Sequence, residues 1–281
     1  MARQPVESRR TAPPVQRNLA TTALLLACLL IVSAAEPATA RKPPAQWPDP
    51  VAKGYVKSVV DGDTLVLRNG TEVRLVGIQA PKLPLGRKNF PTWPLAPDAK
   101  SVLIKLALEK ELTLKYGGRK IDRHGRLLAH LYLKDGNWIQ GALLEAGMAR
   151  VYSFPDNRSQ IKEMLKHEKA ARMAKRGIWG HPYYRIIKHH QSLRHLRSFQ
   201  LIEGKVLKAV VIKGRAYLNF GENWRNDFTI TMSPRTMRRF WRRGPAIDTY
   251  QGKMVRVRGW LKKFNGPMIE ASHPEQIEIL E

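Results

Sequence analysis

The sequence predicts a mainly β chain with some α structure, consisting of a five-stranded OB-type Greek-key barrel plus two helices, followed by a second OB-like barrel. Short runs rich in Val and Leu occur in the order three strands, one helix and two strands, and this order occurs twice. The 281 residues are 43% hydrophobic, which is enough to bury two cores. The predicted organisation is a signal peptide or N-terminal anchor (1–40), a Pro-rich lead (41–50), a first body (51–180), a basic linker (181–200) and a second body (201–281).

The first body begins with predicted strands at residues 55–60, 65–68 and 72–76, and Asn69-Gly70 is a type I′ hairpin signal. Asp98 is the expected N-cap of a helix that runs to about residue 109. Strands follow at 111–116 and 127–133. A helix at 139–146 and a second one that begins after Asp156-Asn157 and ends at Gly177 complete the body.

The second body repeats this order. Strands are predicted at 203–212, 216–220 and 227–232, followed by a helix that is capped by Ser233 and has Pro234 in its first turn. Strands at 254–261 and 268–271 are joined by an Asn265-Gly266 turn. The likeness between the two bodies is one of architecture, since no residue-level repeat relates them.

The charge of the chain points to an anionic partner. There are 49 Lys and Arg residues against 23 Asp and Glu, a formal net charge of +26, and both predicted bodies carry the excess. A basic excess that is spread through folded domains indicates a binding surface for a polyanion. Nucleic acid is the first candidate, and an anionic envelope polymer such as lipid or polysaccharide is the alternative.

The N-terminus resembles an export signal. Arg9, Arg10 and Arg17 precede an apolar run over residues 19–35, and Ala38-Thr39-Ala40 offers a small-residue cleavage site. Export to the periplasm or the extracellular space is therefore expected, with a membrane anchor as the alternative. The chain's single cysteine, Cys28, lies within the apolar run, so no disulfide partner and no Cys-based metal site are expected.

Four motifs in the first body share one order along the chain. They are Asp61-Gly62-Asp63-Thr64, the run from Arg74 to the corner Gln79-Ala80-Pro81, the loop Asp122-Arg123-His124-Gly125-Arg126, and Gly177-Ile178-Trp179. Together these motifs resemble the thermonuclease family over about residues 51–180. The resemblance implies an OB barrel with two packing helices and the hydrolysis of phosphodiester bonds by water.

The resemblance also implies roles for individual residues. Asp63 matches a carboxylate that holds a calcium ion beside the scissile phosphate, and Thr64 supports the same ion. Arg74 and Arg126 match the two arginines that clamp the phosphate, and they are the candidate catalytic residues. Two guanidinium groups suit this role because each can give bidentate charged hydrogen bonds to phosphate and stabilise charge that develops in the transition state.

The corner departs from the family pattern at two positions. Where the family has a second calcium-binding Asp and a Glu that serves as general base, this chain has Gln79 and Lys82. An amide is a poorer ligand for calcium than a carboxylate, and an ammonium ~5 Å from a divalent ion repels it by about 6 to 7 kcal/mol at an effective dielectric constant of ~20. Calcium is therefore expected to bind weakly or not at all. Lys82 and His124 are instead candidate contacts to phosphate.

The second body has a pattern of aromatic and basic residues. Tyr217, Phe220, Trp224 and Phe228 alternate with cations, and Arg239 and Arg242 belong to an Arg-rich helix. OB-type modules hold single strands with aromatic residues that stack on bases and cations that contact phosphates, so Arg239 and Arg242 are candidate substrate contacts. The alternative is that the aromatic residues fill a barrel core while the arginines form a solvated face.

These observations lead to one main hypothesis and two alternatives. The main one is an exported thermonuclease-like protein that binds nucleic acid, DNA or RNA with single strands favoured, and the sequence leaves open whether hydrolysis survives. The first alternative is a non-catalytic nucleic-acid-binding scaffold. The second is an envelope protein that docks on anionic lipid or polysaccharide through charge alone.

Overall fold

A computed structural model describes residues 52–243 and 246–280, with side chains described at all of these except 240–243. The expected signal peptide or anchor, the Pro-rich lead and Cys28 lie outside this range. Within it, no helix is both long enough and apolar enough to span a bilayer.

The first body contains a closed five-stranded barrel, which confirms the predicted OB-type fold. Its strands are β1 (Ala52–Asp61), β2 (Thr64–Leu67), β3 (Glu72–Leu75), β5 (Glu111–Lys115) and β6 (Leu127–Tyr132). They are joined in the order β1-β2-β3-β6-β5, and β3 and β6 form the one parallel pair of this barrel. Alternate residues of the strands, such as Leu65, Val73 and Leu131, are fully buried in the barrel core.

Three helices accompany the barrel: α1 (Ala96–Ala107), α2 (Ile139–Glu145) and α3 (Ile161–Met173). The N-cap of α1 is Leu95, so the prediction of Asp98 as the cap is wrong; Asp98 lies in the first turn instead, where a negative charge favours the helix N-terminus. Helix α3 begins several residues after Asn157. The buried Asn157 side chain donates to the carbonyl of Arg119 at 3.0 Å, so it supports a loop rather than the helix start.

A short antiparallel pair outside the barrel was not predicted. Strand β4 (Ile78–Gln79) pairs with β7 (Arg150–Val151), and Gln79 lies directly opposite Arg150. Two-residue strands are too short to produce a periodic pattern in the sequence. The pair brings the corner after β3 against the segment that leads into α3.

The segment predicted to be a basic linker carries regular structure. It contains 3₁₀ helices at Pro182–Tyr184 and His189–His195 and the short strand β8 (Ile187–Lys188). Strand β8 pairs in parallel with β9 (Phe199–Lys205), and Ile187 is buried in the core of the second body.

The second body is an eight-stranded sheet with one described helix, α4 (Pro234–Arg243). Its further strands are β9 (Phe199–Lys205), β10 (Lys208–Ile212), β11 (Arg215–Asn219), β12 (Thr229–Met232), β13 (Met254–Phe264), β14 (Gly266–Glu270) and β15 (Ile277–Leu280). Their order is β10-β11-β12-β14-β13-β9-β8, and β15 pairs with β13. As predicted, the Ser233 hydroxyl accepts a hydrogen bond from the backbone N–H of Thr236, at 3.2 Å.

The second barrel is not confirmed. The order from β10 to β13 and the parallel pair of β12 and β14 repeat the pattern of the first body, but the described strands are hydrogen-bonded as a sheet rather than as a closed barrel. Strands β9 and β10 are instead consecutive in the chain, and Val206 and Leu207 separate them. Phe220 and Phe228 lie in the core, as the alternative predicted, whereas Trp224 is exposed.

Buried ion pairs join the two bodies. Arg258 of β13 makes a bidentate contact with Glu168 of α3, with both N–O distances 2.9 Å, and both side chains are almost fully buried. Arg258 also contacts Glu278 of β15. On a neighbouring part of this interface Arg158 pairs with Glu275 at 2.6 Å. The opposite charges therefore compensate one another where the two bodies meet.

Candidate nucleic-acid interface

The turn between β1 and β2 carries two acidic side chains into the barrel corner. Asp61 and Asp63 are buried, and Asp61 Oδ1 accepts a hydrogen bond from the backbone N–H of Asp63 at 3.1 Å. Gly62 between them permits close packing, because a Cβ there would lie 2.7 Å from the Cβ atoms of Ala80 and Ala99. The turn is thereby pressed against the corner that carries Gln79 and Lys82.

Asp63 is surrounded by donors. The Lys82 Nζ lies 2.6 Å and 2.7 Å from its two carboxylate oxygens, and Arg74 Nη1 lies 2.7 Å from Oδ1. The backbone N–H of Ala80 donates to Oδ2 at 2.8 Å, and the Thr64 hydroxyl lies 3.3 Å from Oδ1. Burial by itself raises the pKa of Asp63, but Arg74 and Lys82 outweigh it and lower the pKa to about 2. Asp63 is therefore a carboxylate whose charge is already balanced by protein cations.

Lys82 lies between the two carboxylates of the turn. Its ammonium is also 3.1 Å from Asp61 Oδ2, and its side chain is 18% exposed. Burial and the neighbouring charge of Asp63 raise the pKa of Asp61, whereas Lys82 opposes this rise. The lysine was predicted to contact phosphate, but its nearest partners are these two carboxylates.

Gln79 is also occupied. Its Oε1 accepts hydrogen bonds from Arg150 Nε at 3.0 Å and from Arg150 Nη2 at 2.8 Å. Burial lowers the pKa of Arg150 to about 10. The guanidinium also lies 4.7 Å from the ring centroid of Phe199, a contact that links the corner to strand β9.

The residues at this corner do not fit a calcium ion. Calcium requires six to eight oxygen ligands, mostly carboxylates and carbonyls. Here the oxygens of Asp63 and the Oε1 of Gln79 accept hydrogen bonds from protein donors, and the Lys82 ammonium contacts both oxygens of Asp63, the carboxylate that would be the ligand. Among the described residues no group of three or more His, Cys, Asp or Glu is placed to hold a metal ion.

Arg74 has a structural role in the corner. Its Nη1 donates to the Asp63 carbonyl at 3.0 Å and its Nη2 donates to the Ile78 carbonyl at 2.7 Å. These bonds, together with the ion pair to Asp63, hold β3 and β4 at the angle that the corner requires. The guanidinium is only slightly exposed, and its outer edge lines the cleft described below.

The loop before β6 presents the second predicted arginine. Arg126 Nε and Nη2 contact Asp122 Oδ2 at 2.8 and 2.7 Å, and Nη1 lies 3.8 Å from Glu72. Asp122 also accepts hydrogen bonds from the backbone N–H groups of His124 and Arg126, so it holds the turn. The Arg126 side chain stays 26% exposed. The exposed His124 accepts a hydrogen bond from Arg123 Nε at 3.0 Å.

A cleft of about 510 Å³ brings these residues together. Its lining includes three of the predicted site residues, Arg74, His124 and Arg126, which are distant from one another in the sequence or lie in one loop. The exposed Arg119 and Arg123 line it as well. Tyr152 and Phe154, which follow β7, and Trp260 of β13 supply aromatic walls. The cleft thus combines cations with exposed rings, the two kinds of group that bind the phosphates and bases of nucleic acid.

The predicted contacts on α4 are not part of this cleft as far as the structure describes them. Arg239 is exposed on α4 and is not among the residues that line the cleft. The side chain of Arg242 lies outside the described residues. Nothing in the described structure therefore connects this helix to the arginines of the cleft.

Several residues of the site were missed in the sequence, including Tyr152 and Phe154. Arg119 precedes the recognised loop and Arg150 lies in a short buried strand, and neither belongs to a motif quoted above. Trp260 is more than a hundred residues away from the loop in the sequence. Of these residues, only Arg150 could have been identified from the sequence. An arginine between Ala149 and Val151 indicates a buried guanidinium group, which needs a polar partner.

Comparisons with known proteins identify relatives of the first body. Residues 72–181 match the family described as "Staphylococcal nuclease homologue", a range that includes Arg74, Gln79, Lys82 and Arg126. An "Uncharacterized endonuclease" of Escherichia coli O157:H7 is 33% identical over 129 residues, which are 45% of this chain and 76% of that protein. The "Thermonuclease" of Staphylococcus intermedius is 29% identical over 127 residues, 44% of this chain and 74% of that protein.

A third relative matches over a smaller share of its own length. The "SPbeta prophage-derived endonuclease YokF" of Bacillus subtilis strain 168 is 36% identical over 125 residues, 43% of this chain and 41% of that protein. All three alignments cover less than half of this chain. Because the first body matches the staphylococcal nuclease family model and the E. coli relative is matched over three quarters of its length at 33% identity, the chain belongs to the thermonuclease-like, staphylococcal nuclease-homologue family.

Proposed function

We propose that this protein binds single-stranded nucleic acid through the arginines of the cleft and does not hydrolyse it by a calcium-dependent route. The proposal depends on one observation, the position of the Lys82 ammonium at 2.6 and 2.7 Å from the two carboxylate oxygens of Asp63. A protein cation stands where the family resemblance calls for a metal cation. This position supports binding of nucleic acid without calcium-dependent hydrolysis.

The groups that would hold phosphate are present. Arg119, Arg123 and Arg126 surround the cleft with His124, and their charged N–H groups can donate to phosphate oxygens. Asp122 balances part of the Arg126 charge but contacts only Nε and Nη2. The geometry therefore supports a phosphate clamp that needs no metal ion.

The groups that would activate water are not present at the corner. Lys82 stands where the resemblance calls for the general base, and it is a cation paired with Asp61 and Asp63. Loss of a positioned base typically slows hydrolysis by roughly 10² to 10⁴. Asp63, the remaining carboxylate, is committed to Arg74 and Lys82. The corner is built to stabilise the fold rather than to hold a reacting water.

The test measures binding and cleavage side by side with the full chain. A single-stranded oligonucleotide with a fluorophore and a quencher is incubated in calcium, magnesium, manganese or EDTA, and binding is followed by fluorescence anisotropy. We expect binding without cleavage under every condition. Arg126→Ala should weaken binding about 10-fold or more, because it removes a charged donor to phosphate. The double variant Arg194→Ala/Arg225→Ala, which removes exposed charge away from the cleft, should have a much smaller effect.

Other results would assign a different function. Cleavage that Arg126→Ala abolishes would show an active nuclease, and its metal dependence would identify the cation that it uses. Equal losses for Arg126→Ala and the control variant would indicate charge binding alone, as expected for a protein that docks on anionic lipid or polysaccharide. Salt dependence does not discriminate between these results, because contact with any dense polyanion releases counterions.

We also propose that the protein is exported. The support is the basic residues, apolar run and small-residue site of residues 1–40, which lie outside the described structure. The measurement is N-terminal sequencing of the protein recovered from the periplasm or the medium, where a chain that begins at Arg41 is expected. An intact N-terminus in the membrane fraction would show an anchor instead.

A further inference from the structure

The second body contributes one ring to the phosphate cleft. Trp260 of β13 lines the cleft, and the other described lining residues belong to the first body. Its side chain is 48% exposed, which is high for the largest apolar side chain. The neighbouring Phe154 is 46% exposed. Two aromatic surfaces therefore face solvent beside a group of arginines.

The position of Trp260 is held on two sides. Its Nε1 donates a hydrogen bond to the Tyr152 hydroxyl at 2.8 Å, and the Tyr152 ring packs edge to face on Phe154, with ring centroids 4.9 Å apart. Two residues earlier on β13, Arg258 is paired with the buried Glu168 of the first body. Alternate residues of a strand point to the same face, so the ion pair fixes the strand and thereby the ring.

The chemistry of this arrangement matches a nucleotide. The arginines on one side can hold a phosphate group, and the exposed rings on the other can hold a flat apolar group. In a duplex the bases are paired and already stack on one another. An unpaired base is therefore the one that is free to stack on a protein ring. We infer that Trp260 stacks on an unpaired base of a single-stranded nucleic acid whose phosphate lies against Arg126. This inference rests on the proposed function and assigns the second body a part in substrate recognition.

The test compares two ligands that share a phosphate backbone. The full-length protein is titrated with a fluorescent single-stranded oligonucleotide and with an abasic oligomer of the same length. Trp260→Ala should weaken binding of the base-carrying strand by about 5- to 150-fold and leave binding of the abasic strand almost unchanged. Trp260→Phe keeps a ring without the hydrogen bond and should retain most of the affinity. Phe264→Ala, a control at an exposed aromatic residue of the same strand outside the cleft, should bind both ligands like the wild type.

Each other outcome overturns the inference. If Trp260→Ala weakens both ligands equally, the ring only maintains the shape of the cleft, and thermal unfolding of the variant would show the same disturbance. If neither ligand is affected, Trp260 does not touch the nucleic acid. Wild-type protein that binds neither strand would instead refute the proposed function, and this result is recognisable before any variant is made.

Discussion

The corner formed by Asp61, Asp63 and Lys82 shows how one side chain can change the chemistry of a site while preserving its shape. Two buried carboxylates so close together require a cation, because burial and mutual repulsion both disfavour their charged forms. Lys82 supplies this cation covalently, 2.6 Å from one carboxylate and 3.1 Å from the other. The fold of the corner therefore does not depend on the supply of metal.

Replacing the lysine should create a cation site. In Lys82→Glu, and more strongly in Gln79→Asp/Lys82→Glu, the corner gains carboxylates and loses its ammonium, so the apo protein should be less stable and calcium should restore stability. The measurement is the rise in unfolding temperature with calcium concentration, compared with EDTA. Lys88→Glu makes the same charge change at an exposed position and should show no calcium effect. A double variant that calcium does not stabilise would contradict this account of the corner.

Sequence reasoning at the residue scale identified Asp63, Arg74, Arg126, Gln79 and Lys82 as one group, and the structure brings Asp63, Arg74 and Lys82 into contact. It did not identify where the Lys82 ammonium points. A lysine has four rotatable side-chain bonds, so its partner depends on which acceptors the fold places within reach. The same reason applies to Arg150, whose partner Gln79 is 71 residues away.

At the scale of elements, β13 connects the two bodies. It pairs with β9, β14 and β15 within the second body and carries Arg258 and Trp260 towards the first. Strand β15 adds Glu278 to the same ion cluster, and α3 adds Glu168 and Arg172. A strand with this many partners sets the position of the cleft wall.

Removal of the central cation should destabilise the protein strongly. Arg258→Met leaves Glu168 buried with one fewer partner, and loss of one member of a buried pair typically costs about 3 to 5 kcal/mol. Urea unfolding of the variant should show this decrease in the free energy of unfolding. Lys262→Met on the same strand breaks an exposed pair with Glu270 and should cost less than about 1 kcal/mol. Similar losses in the two variants would show that the cluster does not hold β13 in place.

The elements were predicted best where they are long and periodic. The barrel strands and α2 were found close to their predicted positions, whereas β4, β7 and β8 have only two residues each and left no pattern. Strand β15 was not predicted. The predicted strand at 203–212 is divided at Val206 and Leu207, since backbone pairing with two different neighbours bends the chain there.

At the scale of the whole molecule, the interface between the bodies contains a buried histidine. His273 Nε2 lies 2.7 Å from the Ser153 hydroxyl of the first body, and Nδ1 lies 3.0 Å from the Ser272 hydroxyl. Burial lowers the pKa of His273 from 6.5 to about 4, with opposing effects from Glu275 on one side and from Arg158, Arg258 and Arg239 on the other. The folded protein thus requires the neutral imidazole.

This histidine should make stability depend on pH. Because the folded-state pKa is depressed, its stabilising contribution is complete above about pH 6.5 and is lost as the pH falls towards 4, with a slope of at most about 1.4 kcal/mol per pH unit. Urea unfolding at several pH values should show this decline for the wild type. His273→Gln should lose this component, while declines due to other buried groups remain. Parallel pH profiles for the two proteins would exclude the assignment.

The sequence by itself determined the OB-type first body, the basic character of the whole chain, and the set of residues at the altered corner, because periodicity, charge and local motifs are properties of neighbouring residues. Only the tertiary structure decided that Lys82 pairs with Asp61 and Asp63, that β9 and β10 are separate strands where one was predicted, and that Trp260 reaches the cleft. These features depend on contacts between residues far apart in the chain, and such contacts are selected by packing and burial over the whole molecule rather than by local preference.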